Sequence, residues 1–376
     1  MKIALVVFPI HASHGCILQT YALYTKLKEM GHIVTIVNRL STPINTMSSL
    51  RRAFSNIKRR LNSSYSGPIF YRGHYPKAIM KNLQPFVDAH FGNDVVTIYS
   101  REEAVTLVSS QPFEAFVVGS DQVWRPKNVP DVCHYFLEFV PMNSPVKRVA
   151  YAPSFGTGEW EYNEEQYKIC KKLISRFNAI SAREDSGVEL CKKYFGVDAK
   201  LVLDPTMLLS KDDYLNLLDD KEVRKEKKLS YYYLDESEEK MTFMNSIANN
   251  LGLKSHRINT KTENRNAKIQ DRIAPSIEDW LGGFVKSEFV IVDSFHAMVF
   301  AILFNVPFIV VANVARGMAR FTSLLDLLGL SDRLVKDVTK APLPILTQQI
   351  DWERVNSILD KERKRCSGFL NTALRN

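Results

Sequence analysis

Proton transfer at neutral pH is histidine chemistry, and one of the eight histidines stands apart. His296 follows the run Ile291-Val292-Asp293-Ser294-Phe295 and opens an apolar stretch of helical character. There it can give or take a proton, while the free amides of a helix start, beginning at Ser294, hold an anion. The plainer assignment is a satisfied histidine that anchors a strand-to-helix turn. Arg183 closes the apolar run Ala179–Ala182, where a lone guanidinium is costly unless it meets an anion. A ligand phosphate or carboxylate would serve, and so would the adjacent Glu184 or Asp185. Ser120, Asp121 and Gln122 follow Ala115–Val118; Asp121 and Gln122 can bind sugar hydroxyls or cap the turn before Trp124. Gly15 lets a ligand approach the backbone closely. Arg316 and Arg320 follow Phe308–Val311 and can add positive charge to a cleft or pair with acids. His11, His14, Glu102 and Glu103 show no metal-ligand spacing, so no required metal is expected.

These groups need elements that aim them at one place. Ile3–Phe8 is a continuous apolar run, as in a strand buried on both faces. Leu18, Ala22, Leu23 and Leu27 follow at helical spacing, Gly31 stops the helix, and His32–Val37 reads as the next strand. Strand, glycine-bearing loop, helix and strand make a βαβ unit and favour a parallel sheet. Ala115–Val118, Arg148–Ala152, Ala179–Ala182 and Leu201–Leu203 continue the strands, with helices over Tyr162–Arg176 and Ser186–Tyr194. After Asp204-Pro205 the chain turns polar, and a second series begins. Strands are expected at Leu229–Leu234, Lys254–Ile258, Phe289–Val292 and Phe308–Val311. Helices are expected at Glu238–Asn250, Ile277–Phe284, Phe295–Phe304 and Phe321–Leu328, with a helical tail from Leu346 to Leu370. The expected class is α/β, with two Rossmann-like doubly wound domains facing a cleft. The first spans 1–205 with a basic insertion at about 39–87. The second spans 206–376, with a linker at 206–228 and a C-terminal helix. Open α/β sheets bind ligands beyond the carboxyl ends of their strands, which selects the loops carrying Gly15, Ser120, Arg183 and His296.

Composition narrows the class. With 45% hydrophobic and 11% aromatic residues in 376, the chain is neither collagen-like nor disordered. Five scattered cysteines without a CxxC favour reduced thiols and the cytoplasm. The start, Met1 to Phe8, reads as a buried strand rather than a signal peptide. Phe289–Ala312 is interrupted by Asp293, Ser294, His296, Asn305 and Pro307, and reads as strand, helix, strand rather than a membrane span. The formal charge of +9 is local. No Asp or Glu lies between Arg39 and Phe86, while nine Lys and Arg do, interleaved with apolar residues. Such an insertion can lie on an anionic membrane surface or grip a pyrophosphate, or be a solvated loop with a packed helix. No nucleic-acid-binding motif accompanies it, and no nucleic-acid partner is expected.

Taken together, the loops resemble one family. Gly15-Cys16-Ile17-Leu18-Gln19-Thr20-Tyr21-Ala22-Leu23 and Phe116-Val117-Val118-Gly119-Ser120-Asp121-Gln122-Val123-Trp124 come first. Tyr151-Ala152-Pro153-Ser154-Phe155-Gly156, Ser181-Ala182-Arg183-Glu184, Leu203-Asp204-Pro205-Thr206 and Asp293-Ser294-Phe295-His296-Ala297 follow in order. This series resembles the polysaccharide pyruvyl transferases from Lys2 to about Arg333. It departs where the family shows Asn-Tyr-Gly and this chain has Ser13-His14-Gly15. The resemblance implies a GT-B-like fold. It also implies transfer of pyruvate from phosphoenolpyruvate, as donor substrate and without a cofactor, to two hydroxyls of one sugar. A lipid-linked oligosaccharide is one such acceptor. Arg183 and His296 fall on the family's phosphoenolpyruvate site: His296 would be the acid/base, Arg183 the anion ligand, and Asp121 a sugar-hydroxyl ligand. Two other readings share the architecture: a nucleotide-sugar glycosyltransferase, and a two-lobed protein that binds a sugar or anion without turnover. The cysteines and the basic insertion together place the expected enzyme in the cytoplasm, with the insertion at the inner face of the membrane.

Overall fold

The computed structural model describes residues 1–41, 77–218, 224–264, 266–340 and 348–375. Most of the basic insertion, 42–76, lies outside the described residues.

Seven strands make the first sheet: β1 (Lys2–Val7), β2 (Ile33–Arg39), β3 (Val95–Ile98), β4 (Ala115–Val118), β5 (Lys147–Ala150), β6 (Ala179–Ala182) and β7 (Lys200–Leu201). All pair in parallel, in the order β3-β2-β1-β4-β5-β6-β7. β1 is central, with Ile3 against Val34 on one side and Ala115 on the other. Its residues Ile3 to Val7 are buried, which is why the sequence shows an unbroken apolar run. The chain winds outward from β1 to β3, then returns to β4 and winds the other way. The loops after β1 and β4 therefore part and leave a crevice. The second sheet holds β8 (Glu226–Tyr232), β9 (Lys254–Arg257), β10 (Ser287–Val292), β11 (Phe308–Val311) and β12 (Leu334–Val335), again all parallel, in the order β12-β11-β10-β8-β9. Its reversal falls between β8 and β10, so a second crevice opens at the loops after those strands. Phe289–Ala312 is strand, helix and strand, and among the described residues no helix is long and apolar enough to cross a membrane.

Among the elements that went unread in the sequence are β3, β12 and the helices Gln84–Phe91, Arg101–Ser110, Lys211–Leu215 and Ile269–Arg272. β3 is a four-residue edge strand with one fully buried side chain, Ile98, so its pattern is weak. The helix after it carries a readable start, because Ser100 caps Glu103 and Glu103 accepts from the Tyr99 amide.

The tail helix runs from Trp352 to Leu374 and straddles the molecule rather than belonging to the second domain alone. Near its start Arg354 donates to the Gly329 carbonyl. Further along, Arg363 donates to Met207, and the Leu203 amide donates to Cys366 Sγ. Val355, Leu359, Cys366 and Leu370 supply the buried stripe. The segment assigned to a linker is partly ordered packing: Pro205–Leu208 and Lys211–Leu215 are helical, and Tyr214 stacks edge-on against Phe300.

The units touch along a continuous apolar core and at specific points. Asp185 and Ser323 exchange hydrogen bonds. Gly317, at φ +88°, approaches Gly156 so closely that a Cβ on it would lie 2.0 Å from the Gly156 carbonyl oxygen. His14 stacks on Trp280 at 5.2 Å and bonds the Pro275 carbonyl at 2.9 Å. Burial lowers the His14 pKa to about 4, so the neutral ring donates that bond.

Candidate active site

The carboxyl ends of both sheets face two adjoining cavities, of about 400 and about 650 Å³. The smaller is lined by Gly15, Asp121, Gln122, Ser294, His296, Arg316 and Arg320, seven of the nine positions singled out from the sequence for a cleft. Ser120 and Arg183 are buried behind its wall.

His296 sits at the second position of the helix Phe295–Leu303. Its Nε2 lies 3.7 Å from Asp204 Oδ2, an ion-pair distance, and has no hydrogen-bond partner. The other face of the ring lies over Gly15, where an added Cβ would sit 2.2 Å from Nδ1. The absence of a side chain at Gly15 thus admits the histidine. Ser294 is the N-cap of that helix, yet its hydroxyl makes no capping bond, and the residue lines the cavity at the helix start. Asp293 is held back as a hub, accepting from the Leu234 amide at 2.6 Å and from Lys240 Nζ at 2.7 Å.

Beneath lies a charged layer. Asp204 accepts from Arg183 Nη1 at 2.6 Å and from Thr206 N and Oγ1 at 3.0 and 2.6 Å, and Ser120 Oγ stands 3.1 Å away. Burial pushes its carboxyl up, but His296 and Arg183 outweigh that and hold it well below the usual range. Arg183 reaches Asp121 as well, at 3.4 Å, and neither Glu184 nor Asp185 is its partner. Glu184 turns away, accepting from Ser154 Oγ at 3.0 Å and the Phe155 amide at 2.8 Å; burial pushes its carboxyl up. Asp121 takes φ +77°, a region costing about 1–3 kcal/mol for a residue other than glycine. Its carbonyl accepts from Ser154 N, its carboxylate caps Gln122 N, and the same carboxylate faces Arg183. Burial opposes its ionisation, and the charges of Arg183, His296 and Arg320 overcome that and lower its pKa.

Arg320 differs from Arg183 and Arg316 in having no carboxylate partner. Its guanidinium donates to the Arg316 carbonyl at 3.1 Å, leaves Nε without a partner, and makes no ion pair among the described residues. Burial, then repulsion from Arg183, pulls it down to about 10. Arg183 and Arg320 both lie against the Phe295 ring, at 4.7 and 5.5 Å from its centroid. Arg316 instead pairs with Asp235 and Glu263 at 2.6 and 2.7 Å. Gln122 spends its carbonyl on Arg125 and Asn128.

The arrangement offers a proton carrier backed by a fixed carboxylate, an under-neutralised guanidinium and a helix start, all on one cavity. The family model for polysaccharide pyruvyl transferases matches residues 14–314, from the first βα turn through the loop after β11.

The chain belongs to the polysaccharide pyruvyl transferase family.

In this transferase the matched span contains every residue that lines the smaller cavity except Phe8, His11, Ala12, Ser13, Ala315, Arg316, Arg320 and Phe321. Its fold is that of the GT-B glycosyltransferases and related epimerases. Arabidopsis thaliana UGT89C1, complexed with UDP-L-rhamnose, superposes with a TM-score of 0.54 at 9% identity, over 99% of this chain and 98% of the other. The UDP-GlcNAc 2-epimerase of Neisseria meningitidis, bound to UDP-GlcNAc, gives 0.51 at 11% identity, over 100% and 99%. No curated protein matches the chain significantly. Asp204 is the site residue that residue-by-residue reading passed over. It stands in the Leu203-Asp204-Pro205-Thr206 run, where an Asp before Pro reads as a turn, and only the fold brings it to His296.

Proposed function

We propose that this pyruvyl transferase moves the pyruvyl group of phosphoenolpyruvate onto two hydroxyls of one sugar, forming a cyclic ketal and releasing phosphate. The observation that carries the reading is the meeting of His296, Arg320 and the free start of the helix Phe295–Leu303 on one cavity. Phosphoenolpyruvate brings a phosphate and a carboxylate. On the cavity lining, the guanidinium without an ion pair and the helix-start amides offer donors for them. In this reading Arg320 and Ser294 meet the anion, while Arg183 holds Asp204 and Asp121 in place from behind.

The chemistry needs protons moved in order. A proton is added to the methylene carbon, and C2 takes on cationic character. One sugar hydroxyl bonds to C2 and loses its proton. The C2–O bond to phosphate then breaks, and the second hydroxyl closes the ring and loses its proton. His296 is the acid and base for these steps, with Asp204 facing Nε2 to stabilise the imidazolium. That leaves Nδ1, beside Gly15, for the reactants. Anionic Asp121, on the cavity wall, is placed to accept from a sugar hydroxyl.

The test is donor choice with a variant. Purified enzyme is given phosphoenolpyruvate and a panel of free and lipid-linked oligosaccharides, with phosphate release and ketal mass gain as readouts. Nucleotide sugars are run in parallel. His296→Ala should lower turnover about 10²–10⁴-fold with little change in phosphoenolpyruvate affinity. Nucleoside diphosphate release without phosphate release from phosphoenolpyruvate would make the protein a glycosyltransferase instead.

A further inference from the structure

The larger cavity adjoins the first and shares Ser13, Tyr232, Leu234, Thr262, Glu263 and Arg316 with it. At about 650 Å³ it lies within the ~300–1,000 Å³ that holds a drug-sized ligand. The loops after β8 and β9 build it, at the carboxyl end of the second sheet and next to the reversal of strand order.

Its chemistry is particular. Charged side chains line it in equal numbers: Arg257, Lys261 and Arg316 against Asp235, Glu236 and Glu263. Both arginines are already spent. Arg316 grips Asp235 through two nitrogens and Glu263 through a third contact, and Arg257 pairs with Glu236 at 2.8 Å. Asp235 is pulled down to about 2, chiefly by the Arg316 hydrogen bond, so the pair is fully ionised near neutrality. His14, also on the wall, is neutral. A di- or triphosphate entering here would find one ammonium, Lys261, but no uncommitted guanidinium and no glycine-rich loop, and would face three carboxylates. Most of the rest of the wall is hydroxyl and amide, Tyr232, Thr260, Thr262, Asn259 and Asn264 among them, with Ala12 and Leu234 apolar. Such groups both donate and accept, as sugar hydroxyls do. Asn259 Oδ1 is buried there and lacks a donor.

We propose that this larger cavity is the acceptor site and takes a neutral saccharide rather than a nucleotide. The diol to be modified would cross the boundary at Ser13, Thr262 and Arg316 to reach His296. The inference rests on the proposed pyruvyl transfer for its kinetic arm, and its binding arm stands alone.

In the binding arm, full-length protein is titrated with a panel of methyl hexopyranosides and N-acetylhexosaminides, and separately with UDP, by saturation-transfer NMR. A subset of the saccharides should bind, and UDP should not. Thr260→Trp should fill the cavity away from His296, raising the saccharide Kd about 10-fold or more while phosphoenolpyruvate affinity stays within 2-fold. Thermal unfolding of Thr260→Trp controls for folding, with a Tm close to that of the wild type expected. In the kinetic arm, Thr260→Trp should raise the acceptor KM and leave the KM for phosphoenolpyruvate alone. Turnover of phosphoenolpyruvate with an unchanged acceptor KM in Thr260→Trp would overturn the site while leaving the transfer reaction standing. UDP binding that Thr260→Trp abolishes would overturn the choice of a neutral ligand. Saccharide binding that Thr260→Trp weakens, without phosphate release from phosphoenolpyruvate, would support the site and remove the reaction.

Discussion

Gly15→Ala isolates the contact between the two units that positions the histidine. Gly15 lies in the first turn of the helix His14–Glu29, and its φ is ordinary. Alanine is the better helix former by about 0.8–1.0 kcal/mol, so the substitution should stabilise an isolated helix. Here the new Cβ would lie 2.2 Å from His296 Nδ1, 2.3 Å from Cγ and 2.7 Å from Cβ. Ordinary contact starts at 3.4 Å, so the imidazole must retreat by about 1.2 Å, the difference between 3.4 and 2.2 Å. A misplacement of about 1 Å costs on the order of 10²-fold in rate. The expected result is a turnover about 10²-fold down in phosphate release from phosphoenolpyruvate, with a lowered Tm. A double-mutant cycle separates strain from catalysis. His296→Ala keeps its Cβ, 2.7 Å from the new one, so it relieves the clash only in part; His296→Gly relieves it fully. In the His296→Gly background Gly15→Ala should be neutral or stabilising, giving a coupling of about 0.5–3 kcal/mol in urea unfolding. Additive stabilities, or wild-type turnover in Gly15→Ala, would refute the argument that Gly15 exists to seat His296.

The remaining perturbations concern charge. Arg320→Ala should weaken phosphoenolpyruvate binding about 10–100-fold, as for a lost hydrogen bond to a charged group, with little loss of stability; titration calorimetry and thermal unfolding would read the two. Arg183→Ala should do the reverse, destabilising by about 3–5 kcal/mol because Asp204 and Asp121 lose their buried counter-charge, and Arg183→Lys should rescue only in part, since one ammonium lacks the fork that reaches both carboxylates. His14 binds its proton more weakly folded, at about 4, than at the usual 6.5, so stability should fall as pH drops from about 6.5 to 4, by about 3 kcal/mol, and urea unfolding of His14→Gln should lose that slope. Replacing Lys58, Arg59 and Arg60 by Gln should weaken binding to anionic vesicles by about 1 kcal/mol for each cation that faces the lipid, leaving activity on a soluble acceptor intact; unchanged vesicle binding at low salt would remove the membrane expectation.

How much was legible in the chain follows from what each residue depends on. The parallel sheets were readable because Ile3–Val7, Ala115–Val118, Phe289–Val292 and Phe308–Val311 are buried on both faces and must be apolar. The loops after them were readable because a parallel sheet has one end at which ligands bind. Gly15, Asp121, Gln122, Ser294, His296 and Arg320 accordingly meet on one wall, although up to 305 positions separate them in the chain. What a side chain touches across the cleft was not readable. Arg183 has acids at the next two positions, and proximity in sequence offered those as partners. The strand ends there, so successive side chains point apart, and the guanidinium reaches Asp204 and Asp121 on neighbouring loops instead. The reversal matters for function. In the proposed reading an arginine paired with two carboxylates is scaffold, and the anion-binding duty falls to Arg320, whose own sequence context, a helix start after β11, gave no reason to rank it first. Gly15 shows the same dependence. In the sequence it was a loop glycine with room for a ligand; in the fold it is the hollow that receives a histidine from the other unit. The site is therefore assembled only when the two units close on each other, and the contacts at His14–Trp280, Gly156–Gly317 and Asp185–Ser323 that hold them closed are as much a condition of its geometry as the residues on the cavity wall.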